Sequence, residues 1–284
     1  MTTAIDLGGL PAPNVIEALD YESILDAYKT LARNQLASVL PDWDPNRESD
    51  PIVMVLQALA YHELGMRARV NDGARTYLLA FAAGADLDHL AARHGVARLA
   101  GETDEAFRER TRLRIAAWAN AGGDVHYQYW AKSASVAVKD VAVSNPVPGR
   151  VRIAVLAHDG DGTPDAATLA AVRATVTRRD VRVLSDTVEV VPATIIPVAV
   201  RARVWLHPTT PTEVFDRLAP DLMAAIARAR ALGWDLAHSW LVAQLHVAGV
   251  AKVSVIEPAG DIEAAADACI TLTSVAIETG GGGR

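Results

Sequence analysis

An α+β fold, with a helical N-terminal arm followed by two related small α+β domains, is what this 284-residue sequence predicts. Up to about residue 120 the apolar positions recur at three and four, the spacing that places them on one side of a helix. Beyond Gly122-Gly123 the spacing shifts to alternation, the pattern of half-buried strands, with helical runs between them. One strand plan, VxxVxVxxP, occurs twice: Val138, Val141, Val143 and Pro146, then Val250, Val253, Val255 and Pro258. Each copy follows a helical run that begins near a Gly and an Asp, at Gly123-Asp124 and at Gly233-Trp234-Asp235. The expected divisions are 1–121 for the arm, 122–192 for the first α+β domain and 193–284 for the second.

The elements follow in order. Tyr21, Leu25, Tyr28, Leu31, Leu36 and Val39 predict a helix from Leu19 to about Val39, ended by Pro41. After the turn-rich PDWDPNRESDP, Pro51 suits the first position of a second helix, capped by Asp50 or Ser49 and running to Asn71 or beyond. A short third helix follows Gly84 and stops at Gly95. A fourth opens at Thr103, with Asp104 and Glu105 at its positive end and a stripe of Phe107, Thr111, Ile115 and Trp118. Past the glycine pair, a helix from Asp124 to Ala134 leads into a hairpin of Val138 to Val143 and Val151 to Leu156 around a Pro-Val-Pro-Gly turn. The loop HDGDGTP then leads to a helix for which Thr163 is the expected cap and Pro164 the first residue. Alternation predicts strands through Val181, Val183, Val188 and Val190, and from Ile196 to Leu206. Thr210-Pro211-Thr212-Glu213 reads as a capping box for a helix with stripe Phe215, Leu218, Leu222, Ile226, Ala229 and Leu232, bent at Pro220. The second copy of the strand plan and a flexible GGGGR tail end the chain.

Composition narrows function by exclusion. A net charge of −7 gives no electrostatic basis for binding a phosphate backbone, so nucleic acid is not an expected partner. The longest apolar stretch, Ile52 to Tyr61, is far too short to span a bilayer, and no membrane association is expected. Cys269 is the one cysteine, which rules out a disulfide framework and suits a reducing cytoplasm. The N-terminus has neither the basic start nor the apolar core of a secretory signal.

No motif assembles a reactive site. His62-Glu63 begins like a zincin helix, but Met66 stands where the second His ligand would be, so the pair reads as helix surface. His89 and His94 are five apart and turn to different faces. Asp159-Gly160-Asp161-Gly162 opens like a calcium loop and lacks the later oxygen ligands; a turn before a helix explains it better. Ser133, Ser135 and Ser239 lie near His126 and His238 in sequence but in no nucleophile elbow. His126, Tyr127, Tyr129 and Trp130 read as core or protein contact. No metal, cofactor or catalytic residue is therefore expected. A hydrolase or glycan-processing enzyme using Asp124, Asp140, Asp235 and Glu257 is the alternative, and a receptor-binding module a further one.

The order of short motifs carries a resemblance. Glu48-Ser49-Asp50-Pro51, then Arg67, Arg69, Val70 and Asn71, then Ala83 to Leu90 (AGADLDHL), Gly95 to Arg98 (GVAR) and Gly101 to Arg108 (GETDEAFR) succeed one another. The Trp130 helix, VKDVAVSNP, GRVRIAVL and DVRVLSDTVEVVPATIIPVAV follow. In this order they make the chain similar to the baseplate J-like family of contractile phage tails and related injection machines. The resemblance implies a structural wedge protein, not an enzyme, made in the bacterial host cytoplasm and located in the virion tail baseplate. It implies as partners a second copy, as a dimer within a wedge, a companion wedge protein resembling tail protein I, a small sheath-seeding wedge protein, and the central hub or spike. It supplies no catalytic residues. The candidate interface is the helical arm, which carries more apolar helix surface than a monomer requires, at Leu25, Tyr28, Leu36, Arg67, Arg69, Asn71 and Trp118, with Gly122-Gly123 as a hinge.

Overall fold

The computed structural model describes residues 17–118 and 122–280. The chain forms two compact units, 1–97 and 98–284. The residues read as an N-terminal without a secretory signal, and the tail beyond Gly280, lie outside the described residues.

The first unit contains α1 (Tyr21–Leu36), α2 (Pro51–Thr76) and α3 (Gly84–Ala92). Asp50 caps α2 with Pro51 in the first turn, as the sequence predicts, and Asp20 caps α1. Ile24 and Leu25 of α1 pack on Leu56 and Ala60 of α2, with Tyr21, Tyr28, Ile52 and Leu64 around them. Asn71 is buried near the far end of α2, where it exchanges two hydrogen bonds with the backbone of Glu17. Its amide is thereby satisfied out of water.

The second unit opens with α4 (Asp104–Ala117), whose cap is Thr103 as expected. Its predicted stripe is only half used: Phe107 and Thr111 are buried, while Ile115 and Trp118 are exposed. In the first turns, Arg110 and Glu102 form an ion pair at 2.6 Å with both side chains only 5% exposed. Glu102 also accepts the backbone N–H of Leu99, and the guanidinium groups of Arg98 and Arg110 lie over the Phe107 ring. The pair therefore fixes the turn 98–102 onto α4.

Two sheets follow. In the first, β1 (Val138–Val147) pairs antiparallel with β2 (Arg150–Ala157), which pairs parallel with β3 (Thr187–Pro192). The helices α5 (Asp124–Lys132) and α6 (Ala166–Val176) cover one face, closing a core of Tyr127, Ala131, Val141, Ile153, Val155, Val172 and Val176. In the second, β4 (Thr194–Leu206) lies between antiparallel β5 (Val250–Glu257) and parallel β6 (Ala268–Thr279). Here α7 (Thr212–Ala229) and α8 (His238–Leu245) cover the face made by Val198, Val200, Ala202 and Val204, adding Leu218, Leu222, Ile226, Leu241 and Leu245.

The repeated VxxVxVxxP plan becomes the antiparallel edge strand of each sheet, beside a middle strand that has a parallel neighbour on its other side. The chain reaches this arrangement in two orders. β1 turns straight into its partner through Pro148-Gly149, a hairpin as predicted. β5 instead pairs back to β4 across two helices and forms no hairpin with β6, the strand that follows it.

Other expectations are corrected by tertiary demands on the same groups. The α6 cap is Asp165, not Thr163: the Asp165 carboxylate accepts Thr168 N, while Thr163 lies in a loop turn with its N–H held by Asp161. The box at Thr210 does not form, since its hydroxyl donates to the Gly249 carbonyl and no side chain caps α7. Val181 and Val183 alternate without being strand, because side chains of α5 bind their backbone: His126 Nε2 meets Val181 O and the Tyr127 hydroxyl accepts from Val183 N. Burial pushes that phenol up to about 12. The second helix expected from Gly233-Trp234-Asp235 begins only at His238, because Asp235 accepts Ala264 N and Leu236 bridges Ile262.

The buried Glu102–Arg110 pair yields a stability prediction. Arg110→Met strands a buried carboxylate and costs ~3–5 kcal/mol in urea unfolding, while the double variant Glu102→Leu/Arg110→Met recovers most of that loss. Equal losses in single and double variants would show that the pair itself stabilises the turn.

Candidate functional site

Two regions stand apart from ordinary core and solvent surface, one on the first unit and one inside the second. On the first unit, the inward side of α2 is Val53, Leu56, Ala60 and Asn71. Val55, Leu59, Met66 and Val70, at spacings of four, seven and four, lie along another face of the same helix and are all exposed. A helix apolar on a second face has more such surface than the described residues of its unit cover. Tyr77 and Phe81 just beyond the helix are also exposed.

Beside this stripe, Tyr28 donates to Glu63, which also receives the Arg67 guanidinium, and Arg67 reaches Glu17 at 2.9 Å. These hydrogen bonds hold the Glu63 carboxyl below the usual range. Glu63 thus sits in a side-chain network, with His62 exposed beside it. Among the described residues, no group of three or more His, Cys, Asp or Glu is placed to hold a metal ion.

The residues read from sequence as interface divide by burial. Leu25 and Asn71 are used inside the chain, Tyr28 and Leu36 are half-buried, and Arg67, Arg69 and Trp118 are exposed. Trp118 carries Arg114 over its ring, and the same guanidinium lies over Tyr129 and Trp130 of α5, so α4 packs on α5 on either side of Gly122-Gly123. The stripe Val55, Leu59, Met66 and Val70 is not among them, although its spacing is visible in the sequence.

The second region is the seam between the sheets. β2 is buried on both faces: Ile153 and Val155 face α5 and α6, while Leu156 joins Ala193 and Cys269 in a small apolar cluster with Ile195 and Leu232. Around it run polar contacts that end on main chain. The Arg230 guanidinium, 9% exposed, donates to the carbonyls of His158 at 2.9 Å and Gly160 at 3.1 Å. Lys139 donates to Ala227 O at 2.9 Å, Asp140 accepts Leu232 N at 3.1 Å, and the Thr271 hydroxyl donates to Asp161 O at 2.8 Å. Lys132 sits 3.3 Å from Asp140. The Asp159 to Gly162 loop is therefore a docking element for Arg230, not a cation loop. A sequence signal existed: Leu218, Leu222 and Ile226 step by four along α7, and the next position on that buried stripe is Arg230.

The four carboxylates of the enzyme alternative are each engaged structurally. Asp140 serves the seam, Asp124 accepts Val125 N, Asp235 accepts Ala264 N, and Glu257 pairs with Arg201 at 3.0 Å.

Comparison with known proteins bears on these surfaces. Residues 48–103 match the baseplate J-like N-terminal domain and residues 119–192 the baseplate J-like central domain. Over 300 aligned residues the chain is 35% identical to baseplate protein J of Escherichia phage P2, covering 98% of each. The likeness therefore runs through the second sheet as well as the matched domains.

Burial, with the charge of Lys139 behind it, pushes the His158 imidazole below its ordinary value. A base protonated less readily when folded lends stability at pH values above the unfolded pKa, about 6.5, and loses it as pH falls toward the lowered folded value. Urea unfolding at a series of pH values below about 6.5 should show a steeper loss for the native chain than for His158→Gln. Parallel slopes would assign the loss to other groups.

Proposed function

The chain belongs to the baseplate J-like family and is a structural wedge component of a contractile-tail baseplate, and from that premise we propose how its parts serve assembly. The exposed stripe Val55, Leu59, Met66 and Val70 is the docking face of the arm, with Arg67 and Arg69 beside it and Trp118 as a separate contact. A second copy of the chain occupies that stripe, as a dimer within a wedge. The companion wedge protein resembling tail protein I, the small sheath-seeding wedge protein and the central hub or spike are the further partners. The role is structural, not enzymatic. The arm, the first and the second α+β domain are taken as 1–121, 122–192 and 193–284, the domains the two sheets serve. The observation that carries this reading is the apolar second face of α2, joined to likeness along nearly the whole length to a baseplate protein.

Coexpression with the neighbouring tail genes, followed by sizing, should return a complex containing more than one copy of this chain. A monomer that captures none of them would contradict the proposal. Leu59→Glu/Met66→Glu should weaken self-association about tenfold or more, since desolvating two charges costs well over ~1.4 kcal/mol, with an unchanged circular dichroism spectrum. An unchanged oligomer mass would move the interface elsewhere.

A further inference from the structure

We propose that the two α+β modules of the second unit can swing apart as rigid bodies about Ala193, with the contacts around Arg230 and Asp140 acting as a latch. The pivot is set by the chain path. β3 ends at Pro192 in the first sheet and β4 begins at Thr194 in the second, leaving Ala193 as the single residue between two strands that belong to different sheets. Ala193 is itself tied on both sides, donating its N–H to Val155 O while Thr194 N donates to Asp267 O. Motion of one sheet relative to the other therefore turns at this residue, and the backbone ties of each strand to its own sheet stay intact.

The latch is built differently from the modules it joins. Each module closes its own core with two helices on a sheet, but the seam buries only Leu156, Ala193 and Cys269, with Ile195 and Leu232 at its rim. Opening it exposes far less apolar surface than unfolding either module. Its polar contacts run from Arg230, Lys139, Asp140 and Thr271 to backbone atoms of the facing module. Water can replace every one of these, so opening leaves no buried group orphaned. The closed state, by contrast, does leave one: Arg230 Nε is buried with no hydrogen-bond partner. Lys132 sits 3.3 Å from Asp140, and burial, with the Arg230 charge behind it, holds the Lys139 ammonium below its ordinary pKa.

The probe is already in place. Cys269 is the one thiol in the sequence, is fully buried, and lies in the seam cluster. A water-soluble aromatic disulfide reagent applied to the full chain under native conditions should modify Cys269 faster than global unfolding allows, with a denaturant dependence well below that of global unfolding. Arg230→Met, which removes two seam hydrogen bonds, should raise that rate about tenfold, while far-UV circular dichroism shows both modules folded. Lys139→Met and Thr271→Val each remove one seam bond and should raise it less; they carry the comparison if Arg230→Met does not fold. Modification at the global unfolding rate in the native chain, with the variants tracking their own global unfolding rates, would overturn the proposal.

Discussion

The second unit depends on how one strand, β2, is buried from both sides. Its run Ile153 to Ala157 is fully buried, which a strand of a two-layer α+β module does not need. One side is covered by α5 and α6; the other presents Leu156 to the second module. Gly162, at φ 100°, lets the following loop fold back against Leu156, where a Cβ would lie 2.6 Å from its Cδ1. That return places the carbonyls of His158 and Gly160 before Arg230. The guanidinium then supplies those backbone oxygens with charged donors from the second module. From this single arrangement come the docking of the second sheet, the direction of α7's last turn and the environment of Cys269.

Much of this architecture is readable in the sequence, and the failures have one cause. Capped helices such as α2 and α4, and alternating strands such as β4, are local events, and Asp50 and Thr103 act where the sequence places them. The misread places are those where a distant group takes over a local one. Thr210 abandons its own helix for Gly249, Val181 and Val183 give their backbone to α5, and β5 finds its partner across two helices. The assembly surfaces show the same division. Leu25 has the spacing of an outward stripe but is covered by α2, whereas Val55 and Leu59 lie in a segment read simply as apolar and prove exposed. Periodicity reports that a face is apolar; it does not report which of two apolar faces the protein covers by itself.

The outward face of the second sheet differs from the α2 stripe. It carries Arg201–Glu257 and Arg203–Glu278 pairs across neighbouring strands, and Lys252 over the Trp205 ring, against which Gly280 packs. Charged cross-strand pairs of this kind favour a wet surface and discourage edge pairing. The exposed apolar stripe thus lies on α2 of the first unit, while this face of the second sheet is charged.

An electron-microscopy map of the assembled tail is the most direct measurement of this account. It should place the chain in the baseplate, with Val55, Leu59, Met66 and Val70 covered by a helix of a second copy. A baseplate without the chain, or one in which those four side chains face solvent, would contradict it.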